Sequence, residues 1–401
     1  MSAILQDTLD ALASPEARIE QVRHIAREIA GPAAAAVDRD GRFPIEAVMA
    51  LKDAGLLSAR VAPRQGGHGS SIAELGAMCE ALGQRCASAA MVFAMHQVQV
   101  ACLVRHGDTP YFAEYLERLV REQRLIASVT SEAGVGGSVR TSISPIERDA
   151  ASGACRLRKE GTVVSYADAA DDFLVTVRRS AEAAAGDQAL VLLDKRQCEM
   201  ERLGTWDALG MRGTCSPGYT VSARFDAAQI VPAPFAEINA QTMVPWAHIL
   251  WGSAWLGIAT DAVARARAFV RDTGRRMGGT PPTAARLSAV SAKLQLMRVQ
   301  VRDWAHRYDA MCATPDAGAQ ELGSVACAIQ LNHLKLAASE LVAEICTDAL
   351  RITGTSGYRN DSPYSIARHL RDAHSAALMI GNERIHASNG ALHLAYRDEA
   401  L

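Results

Sequence analysis

From residue 14 to about residue 125, apolar positions recur at the three-and-four spacing of helices. Ser14-Pro15 predicts a helix start, because Ser caps free N–H groups and Pro suits the first turn. Ile19, Val22, Ala26 and Ile29 then form one apolar stripe. FPIEAVMALKDAGLL predicts a second helix, with Gly55 placed to end it. SSIAELGAMCEALGQR and CASAAMVFAMHQVQVACLVRHG are apolar over broad faces, as buried helices are. At Leu125 the period changes. LIASVTS, SVRTSISPIERD, ACRLRKEGTVVSY, DFLVTVRRS, QALVLLDK and YTVSARF are short β-type runs between Gly, Asp, Ala and Ser. Near Trp246 the helical period returns. Four long apolar-striped segments, the last being DAHSAALMIGNERIHASNGALHL, predict a four-helix bundle.

The reading is a multidomain α+β chain: an N-terminal helical domain over 1–125, a middle β domain over 126–232 and a C-terminal four-helix bundle over 240–401. At 401 residues and 49% hydrophobic content, burial is not limiting. A net charge of −2 argues against a nucleic-acid partner, which wants a clustered basic face. Nine scattered cysteines without a CxxC pair predict reduced thiols and a cytoplasmic setting. The first residues carry acids and no apolar core, unlike a signal peptide, and no uninterrupted apolar run reaches the ~18 residues of a membrane span.

The stretch VTSEAGVGGSV (129–139) poses the first chemical question. A glycine-rich loop after an apolar run resembles a phosphate cradle. A nicotinamide-binding βαβ unit needs a helix after the glycines. VRTSISPIERD alternates and is β-branched, so that reading fails. A plain hairpin loop is the bland alternative. There is no HExxH, no close His/Cys cluster for a metal, no GxSxG elbow and no Walker loop.

Four blocks in order carry a resemblance. FPIEAVMALKDAGLLSARVAPRQGGHG resembles an amphipathic helix followed by P-x-x-x-GG-x-G. SEAGVGGSV resembles T-E-P-x-G-S-D-V. WDALGMRGTCS resembles LG-x-R-x-(S/T). GTSGYRNDSPYSIARHLRDA resembles GG-x-G-(Y/F)…R-x-x-RDA. Together they resemble the acyl-CoA dehydrogenase superfamily over nearly the whole chain. The resemblance implies FAD between the β domain and the bundle, and assembly through the bundle as a homodimer or homotetramer. It places Ser131 where a threonine bonds the flavin ring, Thr130 at a backbone contact beside it, and Gly136 and Gly137 at the pyrophosphate. Glycine loops suit such contacts, since their N–H groups turn inward and the backbone approaches closely. Ser165 matches a second flavin-covering threonine, while Val163 replaces the family tryptophan. The R-x-x-FG adenine contact is missing, with Arg271 in its neighbourhood.

The resemblance also locates a gap. Dehydrogenation needs a base for the α-proton, in this family a glutamate. The two usual positions fall here on Ile380 and Ala247, the latter beside His248. Three readings follow. Glu383, three residues past Ile380, shares a helix face with it if the helix has begun, and serves as a relocated base beside Arg384. The chain then oxidises an acyl thioester carried on CoA or an acyl-carrier protein and passes electrons to an electron-transfer flavoprotein. Alternatively the chain is a two-component monooxygenase, fed by a flavin reductase, with His96 or His374 guarding the activated oxygen. Third, it is a non-catalytic flavin- or thioester-binding subunit. In bland terms, Glu383, Arg384 and both histidines are ordinary helix residues.

Overall fold

The computed structural model describes residues 14–135, 140–149 and 153–396. Helix α1 (Pro15–Ile25) opens at the Ser-Pro pair, where Ser14 Oγ accepts from the Ala17 N–H at 3.1 Å. A π turn at Ala26–Ala30 leads into α2 (Gly31–Asp40). Then come α3 (Ile45–Asp53), α4 (Ile72–Gly83), α5 (Ala87–His106) and α6 (Pro110–Glu122). Helix α5 is, in fact, long and apolar enough to cross a membrane, yet 89% of that apolar window is buried inside the protein. Its His96, Gln97 and Gln99 interrupt the apolar run and so hide this property from a run count. It is a core helix, packed on α4, on the first strand and on the first bundle helix.

The β region holds two sheets. In the first, β1 (Ile126–Val129) pairs parallel with β4 (Asp172–Arg178), which pairs antiparallel with β5 (Gln188–Asp194). Both β4 and β5 are buried on both faces along most of their length, which explains their continuous apolar sequence. The second sheet is antiparallel, in the order β2 (Glu147–Arg148), β3 (Cys155–Gly161), β7 (Gly218–Phe225), β6 (Cys198–Leu203). Strand β3 alternates strictly, burying Cys155, Leu157, Lys159 and Gly161 and exposing the residues between. The run SVRTSISPIERD is mostly irregular; only its two-residue end forms β2. Strand β6 had no sequence signal, because CEMERL is a mostly exposed edge without apolar alternation.

The C-terminal region starts with α7 (Phe235–Ile238) and a π turn at Asn239–Met243. Three long helices follow: α8 (Val244–Met277), α9 (Ala284–Cys312) and α11 (Val325–Thr353), with α10 (Pro315–Leu322) between the last two. The expected fourth long helix is broken. After α12 (Thr355–Tyr358) it consists of α13 (Ala367–Ala373), a turn through 374–381, and α14 (Asn382–Ala395). The break falls at Ile380, whose φ of 50° is left-handed and cannot continue a right-handed helix. Helix α8 is the pivot of the molecule, packing on α4, α5, α9 and α11. It meets α4 at backbone contact: a Cβ on Gly83 would lie 2.4 Å from the Ala254 carbonyl, and one on Gly257 2.4 Å from that of Glu80. Apolar side chains buried around it, such as Ile249, Leu250 and Leu256, each contribute about 1.5–3 kcal/mol relative to exposure.

Candidate active site

A cavity of about 830 Å³ lies where β1, α5, the start of α8 and the 371–384 segment converge. This is within the range of small-molecule sites, about 300–1,000 Å³. Its walls differ in chemistry.

The β wall is built of hydroxyls in fixed contacts. Thr130, Ser131 and Ser165 all line the cavity. Ser131 Oγ donates to the Val163 carbonyl at 2.8 Å and accepts from the Val163 N–H at 3.0 Å, locking two loops together. Thr130 Oγ1 bonds Ser128 Oγ at 2.7 Å. Ser165 Oγ accepts from Ser216 Oγ at 2.8 Å, so its own proton is left for the cavity. Ser216 lies 2.8 Å from Thr214 Oγ1, which donates to the Met211 carbonyl. Behind this wall sits a buried ion pair, Lys159 Nζ to Glu132 Oε2 at 3.4 Å. Glu132 accepts from the Ile143 and Ser144 N–H groups and the Ser144 hydroxyl, and Lys159 donates to the Thr130 and Thr176 carbonyls. The pair thus pins both arms of the glycine loop. Burial lowers the Lys159 ammonium to about 8; for Glu132 burial is outweighed by the Ser144 bond and the Lys159 charge, which hold it below its ordinary value. Gly136 and Gly137 lie outside the described residues.

The 206–216 loop closes the next side. Met211 and Cys215 adopt left-handed φ values of 51° and 44°. The Met211 N–H donates to the carboxylate of buried Asp372 at 2.7 Å. Burial pushes that acid up to about 6. A Cβ on Gly210 would lie 2.1 Å from the Arg371 carbonyl, so glycine is needed where this loop meets α13. Arg371 forms a two-pronged pair with Asp38 of α2. Trp206 lines the cavity and donates to the Met211 carbonyl at 3.3 Å.

The helical wall is mostly apolar. Met91, Met95, Val98 and Gln99 form one face of α5, while Ala247 and Trp251 come from α8. His96 is not on that face. One residue past Met95 it is turned by about 100°. Its Nε2–H donates to the Leu57 carbonyl at 2.7 Å and its Nδ1 accepts from the Ile126 N–H at 3.0 Å. Burial lowers it to about 4, so it is a neutral tie between α5, β1 and the loop after α3. It does not guard the cavity. His248, beside Ala247, is likewise turned inward, with Nδ1 bonded to the Leu331 carbonyl at 3.0 Å.

The 374–384 segment supplies the remaining side. Ile380 lines the cavity from its left-handed turn. Buried Lys335 holds that turn, donating to the Ile380 carbonyl at 3.2 Å and to Asn382 Oδ1. Helix α14 begins only at Asn382, so Ile380 and Glu383 do not share a helix face. Both still reach the cavity, as do His374 and Arg384. Glu383, Arg384 and His374 are exposed, and among the described residues their side chains make no hydrogen bond or ion pair. Arg271 stands apart, exposed and paired with Asp272. Among the described residues no group of three His, Cys, Asp or Glu is placed to hold a metal. The sequence reading missed Lys335, Asp372, Trp206 and Gln99. Only Gln99 left a trace, as a polar residue inside an apolar helix.

Residues 14–123 match the acyl-CoA dehydrogenase N-terminal domain family, and residues 239–394 match the acyl-CoA dehydrogenase C-terminal domain family. This chain belongs to the acyl-CoA dehydrogenase superfamily. Among curated members, cyclohexane-1-carbonyl-CoA dehydrogenase of Geobacter metallireducens is 27% identical, covering 93% of this chain and 95% of that one. A protein described as a probable FMNH2-dependent monooxygenase, SfnC of Pseudomonas putida, is 24% identical over 88% and 90%. Among solved structures, the FMN-bound dibenzothiophene monooxygenase TdsC of Paenibacillus sp. A11-2 superposes with a TM-score of 0.81 at 20% identity, covering 94% of this chain and 97% of that one. The superfamily thus explains the helix–sheet–helix order and spans two chemistries.

Proposed function

We propose that this chain is a flavin-dependent monooxygenase, taking reduced flavin from a reductase and oxygenating a largely apolar small molecule. The observation that carries the reading is the occupancy of both usual base positions. Ile380 and Ala247 stand there and both face the cavity. Among the described lining residues Glu383 is the one carboxylate, and it is exposed at the rim. A base for an α-proton works best dehydrated, with its pKa raised towards the operating pH. Similarity to SfnC and TdsC supports the same reading.

The described walls suit a flavin ring: Thr130, Ser131 and Ser165 would offer polar groups to its edge, and Met95 and Trp206 would offer apolar surface to it. Flavin, when bound, supplies the two-electron redox step. The balance is substrate plus O₂ plus reduced flavin (two electrons, two protons) giving oxygenated substrate, water and oxidised flavin. The chain's part is to exclude water with the α5 face, orient the ring edge through the proton that Ser165 keeps for the cavity, and hold a proton at His374. These contacts involve the ring that FAD and FMN share, so mass analysis of the released flavin identifies which is used.

A second reading rests on Glu383, whose carboxylate reaches the cavity without an ion pair in the described chain. It would serve as the base for oxidising an acyl-CoA or acyl-carrier thioester, in line with the similarity to cyclohexane-1-carbonyl-CoA dehydrogenase. One anaerobic experiment separates the two. Flavin-loaded protein is mixed with a thioester panel and the visible band is followed. Monooxygenation predicts no bleaching, then oxygen-dependent product formation when a reductase and NADH are added. Bleaching by a thioester overturns it in favour of dehydrogenation.

A further inference from the structure

We propose that Gln99 and Asn239 make this cavity selective for an apolar molecule carrying a hydroxyl group, such as a phenol. The proposal rests on reading the cavity as the substrate chamber. Gln99 is 4% exposed, and its Nε2 donates along α5 to the Met95 carbonyl at 3.3 Å. Its Oε1 is buried and has no partner among the described residues. Asn239 Oδ1, in the π turn before α8, is also buried without a partner, and so is Trp251 Nε1 one wall further on. All three residues line the one cavity. Such orphaned atoms are rare in folded proteins, because each costs about 1–3 kcal/mol. Three among helical lining residues that are otherwise Met, Val and Ala point to a ligand with a polar group.

The elements that carry these atoms are held firmly. Arg105 of α5 donates to Gln241 at 3.1 Å, and His106 bonds Thr242 at 2.8 Å, tying α5 to the π turn. Only the amide ends need to move. Terminal amide torsions are broad and soft, so a small turn presents each oxygen to the cavity. Two carbonyl oxygens need a donor, and the indole N–H needs an acceptor. A hydroxyl is both. A purely hydrocarbon occupant would leave all three atoms unpaired, and a carboxylate would meet two oxygens of its own polarity.

Equilibrium binding to the purified holoprotein tests this without turnover, using 1-naphthol and naphthalene as a shape-matched pair. The wild type should bind naphthol at least tenfold more tightly. The Gln99→Leu/Asn239→Leu double variant, which removes both acceptors, should narrow that preference to under threefold. With no ligand present, Gln99→Leu should melt at the same or a higher temperature, since it removes an unpaired acceptor. Equal affinities in the wild type overturn the proposal, and so does a preference that survives both substitutions. The wild-type ratio decides the matter even if a variant fails to fold. Because no reduction or oxygen is involved, normal naphthol binding without oxygenation would overturn the proposed reaction and leave this selectivity standing. Oxygenation without hydroxyl preference would do the reverse.

Discussion

The two walls of the cavity are made in opposite ways. On the β side nearly every polar atom is spoken for: Ser131 closes on both backbone atoms of Val163, Ser165 joins a hydroxyl chain, and Lys159 meets Glu132 behind them. On the side of 374–384, His374, Glu383 and Arg384 reach the same space with side chains that have no partner among the described residues. The first wall has little room to change without unfolding. The second changes chemistry at small structural cost.

If the β wall is scaffold, breaking it should give the largest effect. Lys159→Met leaves Glu132 buried beside an apolar chain. Removing one partner of a buried pair costs about 3–5 kcal/mol. We expect urea unfolding to show a loss of that order, with flavin retention falling in parallel. A loss below about 1 kcal/mol would mean that the backbone bonds of Glu132 hold the loop unaided.

The next effect comes from pH and falls on the helical core. Burial lowers His96, His106 and His248 to about 4, below their ordinary 6.5. Between these values the unfolded chain binds more protons, so stability rises with pH and is lost as pH falls from about 6.5 towards 4. Asp372 works against this. Its acid is raised to about 6, so between about 4 and 6 the folded chain holds the extra proton and stability falls as pH rises. Three groups outweigh one, and the unfolding free energy measured with urea should drop on the order of 2–5 kcal/mol between pH 7 and pH 5. Asp372→Asn keeps an acceptor for the Met211 N–H and should steepen the drop. A flat profile would show that the histidines are solvated in the folded chain.

How much of this was legible beforehand follows the same division. The glycine loop shows in the local sequence, and Thr130, Ser131 and Ser165 could be placed because the resemblance to the family's flavin-loop motifs implies them; the structure puts all three residues on the cavity. The 374–384 side was misread as continuous helix. Ile380 has no intrinsic taste for left-handed φ; the turn exists because Lys335, some 45 residues earlier, bonds its carbonyl. No local pattern records such a contact. His96 was misassigned for a related reason. Placing a helix correctly leaves its rotation open, and α5 is apolar on so many sides that no stripe fixes which face meets the cavity.

Substitutions on the free wall sharpen the comparison with function rather than stability. His374→Ala should change the unfolding free energy by under about 0.5 kcal/mol, as for an exposed residue without partners. If His374 holds the proton during oxygenation, product formation should fall by roughly 100-fold, the low end for acid–base groups. Unchanged product with rising hydrogen peroxide would give it a guarding role instead of a proton-transfer role.

Glu383→Gln is the smallest expected effect and the most discriminating. Glu383 has no partner in the described chain, so stability should hold within about 0.5 kcal/mol. As a rim residue of a monooxygenase it should alter oxygenation by less than threefold. As the base of a dehydrogenase its loss should abolish thioester bleaching, because a neutral amide takes no proton. The two readings of this chain thus disagree most at a residue without a partner in the described structure. A stopped-flow comparison of wild type and Glu383→Gln, run with thioester without oxygen and with reductase in air, reads both arms on one preparation.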